Sequence, residues 1–218
     1  MSVTTSGDGA APATTSRRRR RDELILDALE RLLAEMPLRD LGVEEIAQAA
    51  GITRTRFYHY YKSKYEAYAA LLERILGEVL EVYGLPDSWW TRADDVRPRA
   101  SLAVTLRRVL GVWFKHGNVL REASDMWNAV PEVREQWQAV MTGLIDGTRA
   151  AIERERKLGI APRGPNAQRL AESLIWQGER LLFLSLVGAP RAMSLKQLVD
   201  LGVDLWLRVI YLSDDPEV

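Results

Sequence analysis

Between Thr53 and Lys64 the chain concentrates groups that grip a polyanion. Four cations (Arg54, Arg56, Lys62 and Lys64), three tyrosines and His59 fall in a stretch that holds no carboxylate. An arginine can hold guanine O6 and N7 through two parallel hydrogen bonds, worth about 1–3 kcal/mol of discrimination between bases. Lysine ammonium and tyrosine hydroxyl groups suit phosphate oxygens, which fix register without reading sequence. The chemistry open to this stretch is recognition of nucleic acid, not bond-making.

Elsewhere the residues for catalysis are missing. His59 and His116 are the two histidines and there is no cysteine, so a disulfide framework and a thiolate metal site are both excluded. No His-x-x-x-His pair, glycine-rich phosphate loop or serine nucleophile elbow occurs. Glu179 stands beside Arg180 and reads as half of a structural pair. No enzyme, metal site or cofactor is implied.

The cluster needs elements to present it. Val43, Ile46, Ala47 and Ala50 repeat at helical spacing. Gly51 follows, where a helix end needs a left-handed residue at low steric cost. Thr53 then caps a second helix over residues 54–60, its hydroxyl accepting from a free backbone N–H. This is a helix-turn-helix, preceded by a helix over residues 22–36 whose apolar stripe runs through Leu24/Ile25, Ala28/Leu29 and Leu32/Leu33. Residues 1–16 are rich in Ser, Thr, Ala, Gly and Pro, a composition unable to bury a core. With Arg17–Arg21 they make an arm over residues 1–21, expected to be disordered. It is either a solvated tail or, with Arg20 and Arg21, an arm for phosphate or minor-groove contacts; its place before the first helix favours the second.

A DNA-binding domain over residues 22–66 leaves a body over residues 67–218. Helices are expected there at 64–82, 99–115, 117–125, 131–157, 166–187 and 194–212, with a loop over 84–98. No strand alternation competes, so the fold is all-α with about nine helices. All seven tryptophans lie beyond residue 84, and a concentration of that kind favours the walls of an apolar cavity over a simple core. The last two helices are apolar on more than one face and must be buried on both sides.

The stretch resembles the DNA-binding signature of the TetR family of bacterial repressors. The match rests on Ile46-Ala47, Ala50-Gly51-Ile52-Thr53, Phe57-Tyr58, Tyr61 and Ser63-Lys64. The resemblance implies that Thr53, Arg54, Thr55, Arg56, Tyr58, His59, Tyr60 and Lys64 form the DNA-binding face. Arg54 and Arg56 would read bases, with a phosphate contact the alternative for Arg56. Thr55 would meet a thymine methyl, and Tyr58, Tyr60 and Lys64 would hold phosphates. Phe57 and Tyr61 would pack inward. Gly42 stands where relatives often carry a hydroxyl.

Residues 130–187 and 205–211 resemble the EthR-like branch of that family, through Glu132-Val133, Trp137, Met141, Ala161-Pro162-Arg163 and Glu179-Arg180 before Leu182-Phe183. That branch carries a hydrophobic tunnel. Carried across, Trp137, Met141, Phe183 and Trp206 would line it, with Trp113 and Phe114 on the facing helix. Two asparagines of that tunnel fall on Ile175 and Gly178, so Trp176, Gln177 or Thr148 would supply the polar anchor, and the ligand would be more apolar or differently placed. The last two helices, about 167–187 and 194–212, would form a homodimer interface.

The expectation is a homodimeric repressor that binds a palindromic double-stranded operator and is released by an apolar small molecule. The alternative is a ligand-independent DNA-binding regulator with a packed body. Lys+Arg and Asp+Glu balance at 30 each, which argues against nucleic-acid binding over the whole surface. Residues 1–64 hold eleven cations against nine carboxylates and the remainder nineteen against twenty-one, so the basic character sits at one end. No apolar run approaches the ~20 residues of a membrane span, which points to a soluble cytoplasmic protein.

Overall fold

The computed structural model describes residues 11–217, the side chains of residues 11–21 and of Asp125 excepted. Among the described residues every regular element is an α-helix. In order they are α1 (Ala11–Leu32), α2 (Val43–Ala49), α3 (Arg54–Phe57), α4 (Lys64–Gly84), α5 (Pro98–Lys115), α6 (Gly117–Met126), α7 (Pro131–Lys157), α8 (Ala167–Leu186) and α9 (Leu195–Tyr211). Two compact units divide inside α4, between Ala70 and Leu71.

In the first unit Ile25, Ala28, Leu29 and Leu33 are buried with Ile46 and Ala47 of α2 and Phe57 of α3. Leu24, counted in the expected stripe, is exposed instead. The α1 helix differs most from expectation. It begins at Ala11 and not at residue 22, so the segment expected to be disordered is helical from that point. Arginine and alanine are strong helix formers, and an arginine run can propagate a helix already nucleated by a buried stripe. Residues 1–10 lie outside the described residues. At its other end α1 stops at Leu32, and turns carry the chain through Met36 to Pro37.

In the second unit α5 packs along α9, and α7 along α8. The core is aliphatic with aromatic inserts: Leu102, Val109 and Trp113 from α5; Val133, Val140 and Leu144 from α7; Ala171 and Leu174 from α8; Val203, Leu207 and Ile210 from α9. The connection between α4 and α5 is irregular, as expected, but deeply anchored. Trp89 is fully buried; its N–H donates to Thr105 Oγ1 at 2.7 Å and its indole Nε1 to the Tyr211 hydroxyl at 2.8 Å. Arg92 and Glu155 form an ion pair whose side chains are 0% exposed. Arg92 Nη1 also donates to the Val96 carbonyl at 2.7 Å, and Arg154 Nη2 to the Trp89 carbonyl at 2.8 Å. No helix among the described residues is long and apolar enough to cross a membrane.

Candidate DNA-reading face and ligand cavity

The turn between α2 and α3 follows from local chemistry. Gly51 adopts φ +68°, which costs a side-chain-bearing residue strain. Thr53 caps α3, its Oγ1 accepting from Arg56 N–H at 3.2 Å. The α3 helix is short: four residues, then turns over 58–60 in place of the expected continuous helix. Three-residue hydrogen bonds, His59 N–H to the Arg56 carbonyl and Tyr60 N–H to the Phe57 carbonyl, tighten that end.

This geometry sorts the side chains. Phe57 and Tyr61 are buried, and the Tyr61 hydroxyl donates to the Asp22 carboxylate, tying the segment after α3 to α1. Thr53, Arg54, Thr55, Arg56, Tyr58 and His59 are exposed and Tyr60 half-buried. The Arg54 guanidinium lies 5.8 Å from the centre of the Tyr58 ring. Arg20 and Arg21 lie on the α1 backbone, and their side chains are outside the description.

Lys64 is placed differently from a free phosphate clamp. Its Nζ donates to the carbonyls of Arg39 at 2.8 Å and Leu41 at 2.7 Å. Two of three ammonium protons thus hold the connection from α1 to α2. Burial lowers its pKa, opposed by the nearby carboxylates of Asp40 and Glu45. At the start of α2 the Gly42 N–H donates to the Glu45 carboxylate, half of a capping box that glycine cannot reciprocate.

The second unit contains an apolar cavity of about 110 Å³. Trp113 and Trp137, both on its wall, pack on each other at 6.1 Å between ring centres, their planes 58° apart. Trp206, Met141, Tyr83, Leu106, Val109 and Leu182 complete much of the wall. From α8, Ile175, Gln177, Gly178 and Glu179 also face it. Burial pushes the Glu179 carboxyl above its ordinary range, opposed by Arg180.

The family description "Transcriptional regulator EthR, C-terminal domain" matches residues 102–212, and "Bacterial regulatory proteins, tetR family" matches residues 25–71. The HTH-type transcriptional regulator EthR of Mycobacterium tuberculosis is 32% identical over 196 residues, covering 88% of this chain and 87% of the relative. The chain belongs to the TetR family of transcriptional regulators. EthR of Mycolicibacterium smegmatis is 28% identical, covering 88% of this chain and 86% of its own. Among solved structures, SmeT, the repressor of a Stenotrophomonas maltophilia multidrug efflux pump, overlays with TM-score 0.68 at 23% identity, over 90% of both chains. A TetR-family regulator from Streptomyces coelicolor overlays with TM-score 0.67 at 20% identity, over 88% of this chain and 80% of its own. The fold is thus the TetR fold, an N-terminal helix-turn-helix with a C-terminal helical domain. Like its TetR-family relatives this protein is a regulator and not an enzyme.

The cavity of this TetR-family chain gathers five of the nine residues read from sequence as its lining: Trp113, Trp137, Met141, Gln177 and Trp206. The other four stand elsewhere. Phe114 is half-buried one position round α5 from Trp113 and off the wall. Phe183 packs under Arg180, whose guanidinium lies 5.0 Å above the ring. Trp176 is 40% exposed and meets Trp127 edge-on at 6.4 Å. Thr148 is fully buried, its hydroxyl without a hydrogen-bond partner among the described residues, in a part of α7 the cavity does not reach. Of the three candidate polar anchors, Gln177 alone is on the wall.

The tryptophans therefore do several jobs. Trp89 anchors the connection between α4 and α5. Trp90 stacks on Tyr83 at 3.7 Å and fills a notch at Gly147, where an added Cβ would come within 2.2 Å of the indole. The aliphatic wall from α5, α8 and α9 had no distinguishing sequence signal, because a leucine facing a cavity has the same helical spacing as one facing the core. Glu179 carried no distinguishing signal either, since beside Arg180 it reads as half of a structural pair.

Proposed function

We propose that this TetR-family regulator is a repressor that binds a palindromic operator as a homodimer and is released by a small molecule, largely apolar in body, entering the second unit. The observation that carries the reading is the tryptophan-walled cavity in a chain whose first unit presents a cationic, carboxylate-free α3 surface. An apolar lining with a few polar groups is the ordinary setting for a small-molecule site, and a cavity of about 110 Å³ would widen to admit one. Arg54, Arg56 and Thr55 would meet base edges, while Tyr58 and Tyr60 would meet phosphates. Lys64 would act mainly by holding the residues that lead into α2.

Homodimerisation is supported by apolar side chains left in solvent on the last two helices. Trp176 and Leu184 on α8, with Leu201 and Val209 on α9, are all exposed. Two copies would place two α3 surfaces about 34–36 Å apart, one helical turn of DNA, which suits a palindrome. Release would run through α4, which belongs to both units and supplies Lys64 to one and Tyr83 to the cavity of the other.

The test is a paired titration. A ligand that releases operator must bind the free protein more tightly than the DNA-bound protein, by the same factor that it weakens DNA binding. Calorimetry of ligand with and without operator, beside gel shifts with and without ligand, reads both factors. Zero coupling in both directions would leave a ligand-independent regulator and remove the release mechanism.

A further inference from the structure

We infer that the effector is a lipophilic cation, its apolar body against Trp113, Trp137 and Trp206 and its positively charged head at the Glu179 carboxylate. The inference rests on the ligand-controlled reading above and names the class of ligand.

Glu179 is the one charged residue on a wall otherwise made of aliphatic, aromatic and amide side chains. Its side chain is 14% exposed. A carboxylate withdrawn from water needs a cation or hydrogen-bond donors in exchange. The ion pair it makes is a weak one: Arg180 Nε stands 3.9 Å away, at the limit of contact, on a side chain that is 58% exposed. That guanidinium also rests over Phe183 and not squarely on the carboxylate. An ammonium group arriving through the cavity would supply the missing partner.

The walls favour the same ligand class. Electron-rich tryptophan rings on the same wall tolerate a positively charged ligand, since a ring face attracts a cation within about 6 Å of its centre. A neutral apolar molecule would fill the space but leave the carboxylate uncompensated, and an anion would be repelled by it. Ile175 and Gly178, one turn apart on the same helix, offer no side-chain donor that could satisfy Glu179 from within the protein. Burial raises the carboxyl pKa and the distant Arg180 only partly opposes it.

The test compares 4-phenylbutylamine with 4-phenylbutan-1-ol, near-isosteric probes that differ in charge, by isothermal calorimetry on the full chain without DNA. The amine should bind at least about tenfold more tightly than the alcohol. Glu179→Gln should abolish that preference by weakening the amine. Arg180→Met removes the competing internal cation and should strengthen the amine, so the idea is tested even if one variant folds poorly. Equal affinities for the two probes, or an amine preference that survives in E179Q, overturn the cation assignment while leaving a ligand-binding body in place. Failure of both probes to bind overturns the assignment together with the cavity reading beneath it.

Discussion

Arg54 and Arg56 flank a threonine on the exposed side of α3, and on the proposed reading their guanidinium groups would tell guanine from other bases. Arg54→Ala and Arg56→Ala should each relax sequence preference and cost about 1–3 kcal/mol on the best operator, with less loss on random DNA. Gel shifts on a panel of half-site variants check this. Lys64 belongs to a different class. Its Nζ holds two backbone carbonyls, so Lys64→Met should lower stability by about 1–3 kcal/mol as well as weaken binding to every sequence. A Lys64→Met protein with wild-type melting temperature would return this residue to a purely DNA-facing role. Glu179 carries a pH signature. Because burial raises its carboxyl pKa above the ordinary glutamate value, the folded chain holds that proton more tightly than the unfolded chain. Its contribution is therefore fully present at pH below the ordinary glutamate value and is lost as pH rises through the raised one. Thermal melts of wild type and Glu179→Gln across that window should diverge, with the glutamine protein the more stable at neutral pH.

At the scale of elements, what could be read from sequence depended on whether local chemistry decided the outcome. Gly51 and Thr53 set the turn into α3 through backbone conformation and capping, both local effects, and the structure places them so. Pro98 and Pro131 stand in the first turns of α5 and α7, positions where a missing N–H is harmless. The backward extension of α1 was hidden because a charged, low-complexity stretch gives no periodic pattern, although its arginines tolerate a helix well. The connection between α4 and α5 was legible only as a loop. Nothing local announces that Arg92 will meet Glu155 across more than sixty positions. That pair yields a prediction: Arg92→Leu leaves the buried Glu155 carboxylate with Arg154, at 2.7 Å, as its remaining cation and should cost about 1–3 kcal/mol, whereas Arg92→Leu with Glu155→Leu should recover part of it. Chemical denaturation of both proteins checks the difference. Gly147 gives a second: Gly147→Ala forces its methyl into the Trp90 indole and should cost about 1–3 kcal/mol of stability.

For the molecule as a whole, the placement of anchors decides which parts are free to respond. The buried polar network joins the N-terminal part of α5 through Thr105, the C-terminal part of α7 through Arg154 and Glu155, and the last turn of α9 through Tyr211. The cavity starts beside that network, where Trp206 meets Trp89 edge-on at 5.6 Å and Tyr83 stacks on Trp90, and runs away from it to Val109, Trp113, Trp137 and Met141. A bundle clasped beside one end of its cavity resembles a clothes peg, with most room to give at the end away from the clasp. An occupant would prise apart the loose jaws while the spring end kept its grip. Amide exchange should show this asymmetry, with occupancy altering protection around residues 109–113 and 137–141 while residues 89–92 and 154–155 hold steady. An enlarged cavity in this protein would then swing helices about a fixed fulcrum instead of loosening the bundle throughout.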